Sequence, residues 1–270
     1  DVTAMARGPA VGDLPSGVER VAGDITEYDD VAAAVEGHEA VVNLVSLSPL
    51  FKPQGGDEMH ERVHLGGTEN AVRAAEEHGI NRFVQMSGLG ADPNGRTHFL
   101  RAKGKAEQVV RESDLEWVII RPSVIFGDGD EFIGFTRKLT PPFLAPLPGG
   151  GKTRFQPIWI GDIAPMLADA TTEPDHVGQT YELGGPEKLA LAQVAKLARK
   201  AKGQPVTVVP IPMGLAGVGL SVMGSIPGFP FGADQYRSLK EDNVTDDNDI
   251  GAFGVSTSDL KTLSEYLGVA

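Results

Sequence analysis

The chain has 270 residues, of which 41% are hydrophobic and 23% charged, enough for one large α/β domain or a domain with a small lobe. Its net charge of -13 argues against a nucleic-acid partner, because neutralising phosphates requires a basic face. The chain has no cysteine, which excludes disulfides, thiolate metal sites and cysteine nucleophiles and is typical of a reducing compartment such as the cytoplasm.

The first half of the chain alternates between strand-like and helix-like patterns. Short apolar runs rich in β-branched or aromatic residues predict strands at 40–45, 82–86 and 116–120, and residues 1–7 are interpreted as a strand running into a loop. Amphipathic segments predict helices at 26–36, 68–78 and 101–113, the first two closed by Gly37 and Gly79. Because the strands scarcely alternate, both of their faces should be buried, as in a parallel sheet. This order predicts a doubly wound α/β fold.

The pattern loosens after Gly127. We predict a helix at 131–139, a breaker-rich loop at 141–151, a strand at 153–160, a helix starting at Gly161, a short strand at 181–184 and a helix at 191–201. The expected division is a nucleotide-binding domain of residues 1–126 and 153–184, with a smaller substrate or partner lobe of residues 127–152 and 185–270.

Residues 203–233 carry no charged side chain and contain many glycines and prolines. The glycines and prolines make a transmembrane span unconvincing. Two interpretations remain open: a core or substrate-lid element, or an apolar face that docks on a membrane surface or a partner.

Residues 60–64 match the His-Glu-x-x-His pattern of helical zinc sites. Only three letters are fixed, and Gly66-Gly67 follow where a long helix should continue. We therefore predict no metal site, and expect these histidines to be solvated or at the edge of the core.

Polar or flexible residues follow several of the predicted strands. Asp24 and Ile25 follow one strand end, where the carboxylate either contacts an adenine amino group or simply caps a helix. The other candidates are Asn43, Leu44, Val45, Ser87, Lys103, Pro122, Ser123 and Val124. Ligands of open α/β sheets bind at the carboxyl ends of the strands, so these residues should converge on one crevice.

Taken in order, these motifs resemble the extended or atypical short-chain dehydrogenase/reductases, and the resemblance covers essentially the whole chain. It rests on residues 23–26, Ser87, Lys103, residues 121–127 and residues 156–162. Within the family, stretches 148–157, 181–186 and 234–243 are similar to the subgroup of the nucleotide-binding accessory subunit of respiratory complex I. The resemblance implies a Rossmann-like sheet and a bound NADPH without established turnover. It also implies that Ser87 and Lys103 are the catalytic candidates.

Two departures from the family pattern matter. The glycine-rich pyrophosphate loop, with its strand and helix, should precede residue 1; we expect it to be encoded upstream, the alternative being a truncated protein that binds poorly. Phe99 stands where the family has the tyrosine acid, four residues before Lys103. A phenyl ring cannot exchange a proton, so Lys103 keeps only a cofactor-binding role. His98 is a weak substitute, because helix neighbours do not share a face.

Arg7 bears on the choice of cofactor. It follows the strand after which NAD binders usually carry an acidic residue, and a guanidinium there can pair with a 2′-phosphate. We therefore expect NADP(H) to be favoured over NAD(H).

The expected function is a protein that holds this cofactor for structural or sensing purposes. The alternatives are an NAD(P)H-dependent reductase, dehydrogenase or epimerase, and an interaction module of a membrane-associated complex that docks through residues 203–233. The expected location is the cytoplasm, or peripheral to the inner face of a membrane.

Overall fold

The computed structural model describes residues 1–8, 14–141, 143–223 and 231–269. Its strands are β1 (Val2–Ala6), β2 (Val18–Ala22), β3 (Ala40–Asn43), β4 (Arg82–Met86), β5 (Glu116–Pro122), β6 (Ile125–Phe126), β7 (Phe143–Pro148), β8 (Arg154–Phe155), β9 (Ile158–Trp159), β10 (Gln179–Leu183), β11 (Leu189–Ala190) and β12 (Val206–Ile211). Its helices are α1 (Tyr28–Val35), α2 (Glu58–His60), α3 (Gly67–Glu77), α4 (His98–Glu112), α5 (Glu131–Leu139), α6 (Ile160–Thr172), α7 (Leu191–Lys200), α8 (Met213–Met223), α9 (Ala233–Ser238) and α10 (Leu263–Tyr266). A π-helical segment, Glu61–Gly66, joins α2 to α3.

Parallel pairing organises the first part of the molecule. A four-stranded sheet has the order β10-β5-β4-β3, with every neighbouring pair parallel. Strands β1 and β2 pair in parallel as a separate ladder, and none of the described strands bridges the two sheets. With helices in the connections between the strands of the four-stranded sheet, this arrangement confirms the doubly wound, Rossmann-like fold. The additional strand that the family resemblance places before β1 stays a prediction.

The central strands are buried on both faces, as their unbroken apolar pattern predicts. Successive side chains of a strand point to opposite sides of the sheet. Phe83 accordingly packs with α1 and α3 on one side, while its neighbour Val84 packs with α6 on the other. Both side chains are fully buried, and each such burial stabilises the fold by about 1.5–3 kcal/mol. The carboxyl ends of these strands are thereby held at fixed positions.

The apolar residues on the two sides of the four-stranded sheet form two clusters, and a third apolar cluster lies in the second half of the chain. The third cluster joins α5, β7, α7 and α10, and includes Phe132, Leu147, Val194 and Leu263. The remaining short ladders are parallel β6–β9 and β7–β12 and antiparallel β8–β11. The expected boundaries, 1–126 with 153–184 and 127–152 with 185–270, stay a prediction.

Two local predictions are wrong. The loop predicted at 141–151 contains strand β7, which pairs with β12 along its whole length. Proline is accepted there because each strand of a two-stranded ladder needs backbone hydrogen bonds on one edge only; Pro142 lies outside the described residues. The strand predicted at 153–160 is split into β8 and β9, since the Gln156 amide bonds the carbonyl of distant Asn243 and Pro157 follows it.

The uncharged segment 203–233 forms β12, α8 and the start of α9, with residues 224–230 outside the described part. Strand β12 joins the third apolar cluster through Val206 and Val208, whereas Leu215 on α8 is 68% exposed. Within the described ranges, the helices are too short or too polar to cross a membrane. The segment therefore combines core residues with an exposed apolar side chain, and its role as a docking face stays a prediction.

Candidate functional site

The predicted candidates meet at the carboxyl edge of the four-stranded sheet. Residues Asn43, Met86 and Pro122 end three adjacent parallel strands, whose registers place these ends side by side. The following residues, Leu44, Val45, Ser87, Ser123 and Val124, therefore lie along one edge. The structure brings these candidates together, as the strand order predicts; their contact with a nucleotide stays a prediction.

Arg7 and Asp24 form a separate pair at the end of the β1–β2 ladder. The Arg7 guanidinium is 3.8 Å from the Asp24 carboxylate and is 63% exposed. Asp24 also accepts hydrogen bonds from the amide and the hydroxyl of Thr26, each at 2.9 Å. The Thr26 amide bond and the charge of Arg7 lower the pKa of Asp24 against the opposing effect of burial. The carboxylate is thus ionised and shapes the turn before α1, while one oxygen faces Arg7.

Ile25 has a packing role. Its side chain is buried beneath Gly67, where an added Cβ would lie 2.8 Å from Ile25 Cγ2. Its carbonyl accepts a hydrogen bond from Asn70 at 2.9 Å. Any contact from Ile25 to a nucleotide is therefore restricted to its remaining backbone atoms.

Asn43 holds the turn that follows β3. Its amide group donates to Thr68 Oγ1 at 3.2 Å and to Gln85 Oε1 at 3.0 Å, and its oxygen accepts from the Val45 amide at 3.2 Å. The side chain is thus fully used inside the protein. Leu44, at the tip of the turn, is 53% exposed, so this turn lies at the surface.

Lys103 lies at the centre of the edge. Its side chain is 1% exposed, and its ammonium donates to the Met86 carbonyl at 2.8 Å and to the Val45 carbonyl at 3.5 Å. Burial lowers the pKa of Lys103 to about 7, against the opposing charge of Glu107. An ammonium has three N–H donors, so two carbonyls leave one donor for a ligand.

Phe99 occupies the turn of α4 before Lys103, with its ring centroid 6.0 Å from the ammonium nitrogen. The rings of His60 and His64 pack against the Phe99 ring in T-shaped arrangements, at centroid distances of 5.8 and 5.2 Å. The position of the family's acid is thus occupied by a ring without an exchangeable proton. His98 does not replace it, because its Nδ1 and its amide lie 3.0 and 2.6 Å from the Asp234 carboxylate.

The hydroxyl of Ser87 is committed to a buried carboxylate. Ser87 Oγ donates to Glu107 Oε1 at 2.5 Å, and Arg121 binds both oxygens of the same carboxylate at 2.8 and 2.6 Å. This pairing raises the pKa of Arg121. The sequence interpretation missed Glu107, although its position four residues after Lys103 places both on one face of α4.

Ser123 and Val124 are fastened to a distant part of the chain. Ser123 Oγ donates to the carbonyl of Asn243 at 2.9 Å and lies 2.7 Å from the side-chain oxygen of the same residue. This side-chain oxygen also accepts a hydrogen bond from the Val124 amide at 3.2 Å. Pro122 accepts the Leu89 amide at 3.0 Å through its carbonyl. Asn243 closes the stretch 234–243 that carried part of the family resemblance, the only hint of this contact in the sequence.

His60 and His64 are buried rather than solvated, with exposures of 1% and 2%, so the expectation of solvated or edge histidines is wrong. Burial lowers the pKa of both, that of His64 to about 2. His64 Nε2 accepts the Leu47 amide at 3.1 Å, which places its proton on Nδ1. Neither Nδ1 has a hydrogen-bond partner within the described chain. Glu61 lies on the exposed side and pairs with Lys105 at 2.5 Å, so the zinc-like motif does not converge on one point.

Asp57, His98 and Asp234 form a group whose donor atoms all lie within 4.8 Å of one another, which is close enough to hold a cation. The sequence interpretation missed the group because its members are far apart in the chain. The Asp234 carboxylate already accepts from His98 and, at 2.8 Å, from Arg237. The group therefore acts as a cap and clamp at the start of α4, and the expected absence of a metal site stays a prediction.

Comparison with known proteins places this geometry in context. A family model described as NAD(P)H-binding matches residues 1–141. The mitochondrial NADH dehydrogenase (ubiquinone) 1 alpha subcomplex subunit 9 of Arabidopsis thaliana is 29% identical over 241 residues, covering 83% of this chain and 58% of the relative. The subunit of the same name from Mus musculus is 31% identical and is covered over 45% of its length. The chain thus spans about half the length of these curated relatives.

One further similarity is in sequence and another is in fold. An NAD(P)H azoreductase of Xenophilus azovorans is 31% identical over 210 residues, covering 77% of this chain and 67% of the relative. The crystal structure of the NADPH-dependent quinone oxidoreductase QOR2 of Escherichia coli with NADPH has a TM-score of 0.72 and 20% identity, covering 98% of this chain and 89% of that one. At that identity the structural likeness concerns the fold alone.

Proposed function

Because this chain belongs to the NAD(P)H-binding family of short-chain dehydrogenase/reductases and is related to the complex I accessory subunit, we propose that it holds NADP(H) with weak or no turnover. The role of the cofactor is then structural or sensory. The observation that carries this proposal is the pair of Phe99 and Lys103: the cofactor-binding lysine is present, while the acid position holds a phenyl ring.

The residues at the strand ends fit a dinucleotide. Lys103 keeps one N–H donor for a ribose hydroxyl, and the exposed turn at Leu44 offers backbone for close approach. The exposed Arg7 guanidinium offers a fork of donors to a 2′-phosphate, beside a carboxylate that can accept from an adenine amino group. We therefore favour NADP(H) over NAD(H).

When bound, NADPH supplies a hydride, and reduction of a carbonyl also requires a proton. The Ser87 proton points to Glu107, and the low pKa of His64 leaves it neutral at physiological pH. Phe99 has no proton to give. The chain's own residues thus bind and orient a nucleotide more readily than they complete a reduction.

The first test is a calorimetric titration of NADPH and of NADH into protein that carries its full encoded N-terminus. We expect NADPH-selective binding, and Arg7→Glu should remove most of the selectivity because it places a carboxylate against the 2′-phosphate. Lys196→Glu, an exposed change of the same charge on α7, is the matched control. Unchanged selectivity in Arg7→Glu would refute the role of Arg7, and absence of binding by either nucleotide would refute the whole proposal.

The second candidate is an NAD(P)H-dependent reductase, dehydrogenase or epimerase. It is favoured by the similarity to the NAD(P)H azoreductase and by Lys103, whose pKa of about 7 allows it to donate a proton near neutral pH. For this candidate, Phe99→Tyr should raise the rate of NADPH oxidation with carbonyl, quinone or azo acceptors, whereas in a holding protein the weak or absent turnover should not change. Steady-state assays of both proteins decide between the two.

The third candidate is an interaction module of a membrane-associated complex, in the cytoplasm or at the inner face of a membrane. The similarity to complex I subunits and the exposed Leu215 on uncharged α8 favour it. Leu215→Asn should shift the protein from the membrane fraction to the soluble fraction while leaving NADPH affinity unchanged. An identical distribution of the variant and the wild type would remove the support for docking through residues 203–233.

A further inference from the structure

A cavity of about 520 Å³ lies beside the first turn of α4, and the described residues that line it are all basic. They are Arg96, His98, Arg101, Arg237 and Lys240. The chain has 24 lysines and arginines against 37 acidic residues, so a gathering of four of these cations in one cavity runs against the overall charge. The volume lies in the range of small-molecule sites, roughly 300–1,000 Å³.

The two walls of this basic cavity come from distant parts of the chain. Arg96, His98 and Arg101 belong to the loop after β4 and to the first turn of α4, while Arg237 and Lys240 belong to α9 and the turn after it. Asp234 joins the walls, since its buried carboxylate accepts from His98 and Arg237. Burial acts to raise the pKa of Asp234, but these hydrogen bonds outweigh it and lower the pKa. The Asp234 carboxylate therefore stays ionised while it links the two walls of the cavity.

The cations of the basic cavity are only partly compensated. Arg96 pairs with Glu241 at 2.8 Å, and Arg237 pairs with Asp234. Asp57 lies 3.9 Å from the His98 ring. Arg101 and Lys240 have no ion-pair partner among the carboxylates of residues 14–141, 143–223 and 231–269: Arg101 donates to the Gly95 carbonyl at 2.8 Å, and Lys240 lies 4.2 Å from the Tyr236 ring centroid. Two unpaired cations that face the same cavity repel each other unless an anion lies between them.

We propose that the basic cavity binds the phosphate group of a ligand, at a site separate from the cofactor crevice. Guanidinium forks match phosphate oxygens in geometry as well as in charge. His98 lines the cavity, whereas the ring of the next residue, Phe99, packs against His60 and His64 instead. The proposal does not depend on NADP(H) binding, because none of the lining residues is among the candidates at the carboxyl edge of the four-stranded sheet.

The phosphate can come from a free phosphorylated molecule or from the headgroup of an anionic lipid. Helix α8, which is uncharged and carries exposed Leu215, packs against α9, so an apolar surface lies next to one wall of the cavity. The chemistry recognised in the cavity is the same for both sources, and the experiment below separates them.

The probe is inorganic pyrophosphate, titrated by calorimetry at low salt into the full chain. We expect Arg101→Gln/Lys240→Gln to weaken its binding about 100-fold, roughly tenfold for each lost charge-assisted contact. The matched control is Lys152→Gln/Lys196→Gln, which removes two exposed charges elsewhere and should change the affinity less than about twofold. If the double variant does not fold, Lys240→Gln alone, whose ammonium lies over the Tyr236 ring, should still lose about tenfold.

Flotation with vesicles identifies the source of the phosphate. Binding to phosphatidylcholine vesicles that contain phosphatidylglycerol, but not to phosphatidylcholine alone, together with its loss in the double variant, supports a lipid headgroup. Pyrophosphate binding without vesicle binding supports a free phosphorylated ligand. Failure of both probes, or equal binding by wild type and double variant, overturns the proposal.

NADPH titrations keep the two sites apart. The double variant should bind NADPH as the wild type does, and Arg7→Glu should bind pyrophosphate as the wild type does. If the double variant loses NADPH affinity in parallel with pyrophosphate affinity, the basic cavity belongs to the cofactor site, and the inference of a second site is wrong.

Discussion

Replacing Lys103 by methionine is expected to stabilise the folded protein at neutral pH. Burial lowers the pKa of Lys103 from 10.5 to about 7, so keeping this lysine in the core costs about 4–5 kcal/mol at pH 7 and below. Methionine fills a similar volume without a charge, so the variant avoids this cost. The loss of the hydrogen bonds to the Met86 and Val45 carbonyls offsets about 2–3 kcal/mol of the resulting stabilisation. The net expectation is a variant about 2 kcal/mol more stable near pH 7.

The pH dependence identifies the cause. Between pH 7 and pH 10.5 the folded wild type binds fewer protons at Lys103 than the unfolded chain does, so its stability rises with pH relative to the variant. The advantage of Lys103→Met should therefore shrink by about 2 kcal/mol between pH 7 and about pH 9, where the two proteins become equally stable.

The assay is urea unfolding followed by circular dichroism at several pH values across this window. Lys105→Met, at a partly exposed lysine of α4 that pairs with Glu61, is the control for replacing a lysine in this helix. A Lys103→Met protein that is less stable than the wild type at pH 7, by an amount that does not vary with pH, would show that Lys103 is not a buried, destabilised ammonium. The same variant should bind NADPH more weakly, which would separate the stability of the fold from the function of the lysine.

Three further predictions test the surrounding structure. His64→Gln keeps an acceptor for the Leu47 amide and removes an imidazole whose pKa in the folded state is about 2. Because His64 binds a proton only in the unfolded chain, it should lower the free energy of unfolding of the wild type by about 2 kcal/mol between pH 6.5 and pH 5, and the variant should not show this loss. Urea titrations at both pH values measure this, and an equal loss in both proteins would contradict it. Gly104→Ala should destabilise α4 by more than about 3 kcal/mol, because the new Cβ would lie 2.3 Å from the Asp92 backbone; Gly134→Ala on α5 meets open space and should be neutral or stabilising by up to about 1 kcal/mol. Similar melting temperatures for the two alanine variants would contradict that contrast. Glu107→Gln leaves its arginine partners without a buried countercharge and should cost about 3–5 kcal/mol, which thermal unfolding detects and which an unchanged melting temperature would refute.

The elements of the fold could be predicted from local patterns with few errors. The predicted helix at 68–78 and the observed Gly67–Glu77 differ by one residue at each end, because the apolar spacing and Gly79 both lie within the segment itself. Strand β4 was predicted with its observed ends for the same reason. Strand β7 was not: its prolines indicate a loop locally, and only pairing with β12, some sixty residues later in the chain, makes it a strand.

The candidate site was predictable in its backbone positions and not in its side-chain partners. The strand order placed Asn43, Ser87 and Lys103 on one edge, since parallel strands end at the same side of a sheet. That Ser87 donates to Glu107 and that Asn43 is used within the protein became visible only when the helices were packed against the sheet. A hydrogen bond between residues 20 or more positions apart leaves no periodic signal in the sequence.

The sequence by itself determined the doubly wound fold, the family and the missing acid at Phe99, because each depends on residue type and short-range spacing. The tertiary structure alone decided that His60 and His64 are buried beside that phenyl ring and that Arg101 and Lys240 face one cavity. The physical reason is range: helix and strand patterns repeat within a few residues, whereas these arrangements bring together residues that lie about 35 to 140 positions apart in the chain. Those contacts exist only after the chain has packed around its core.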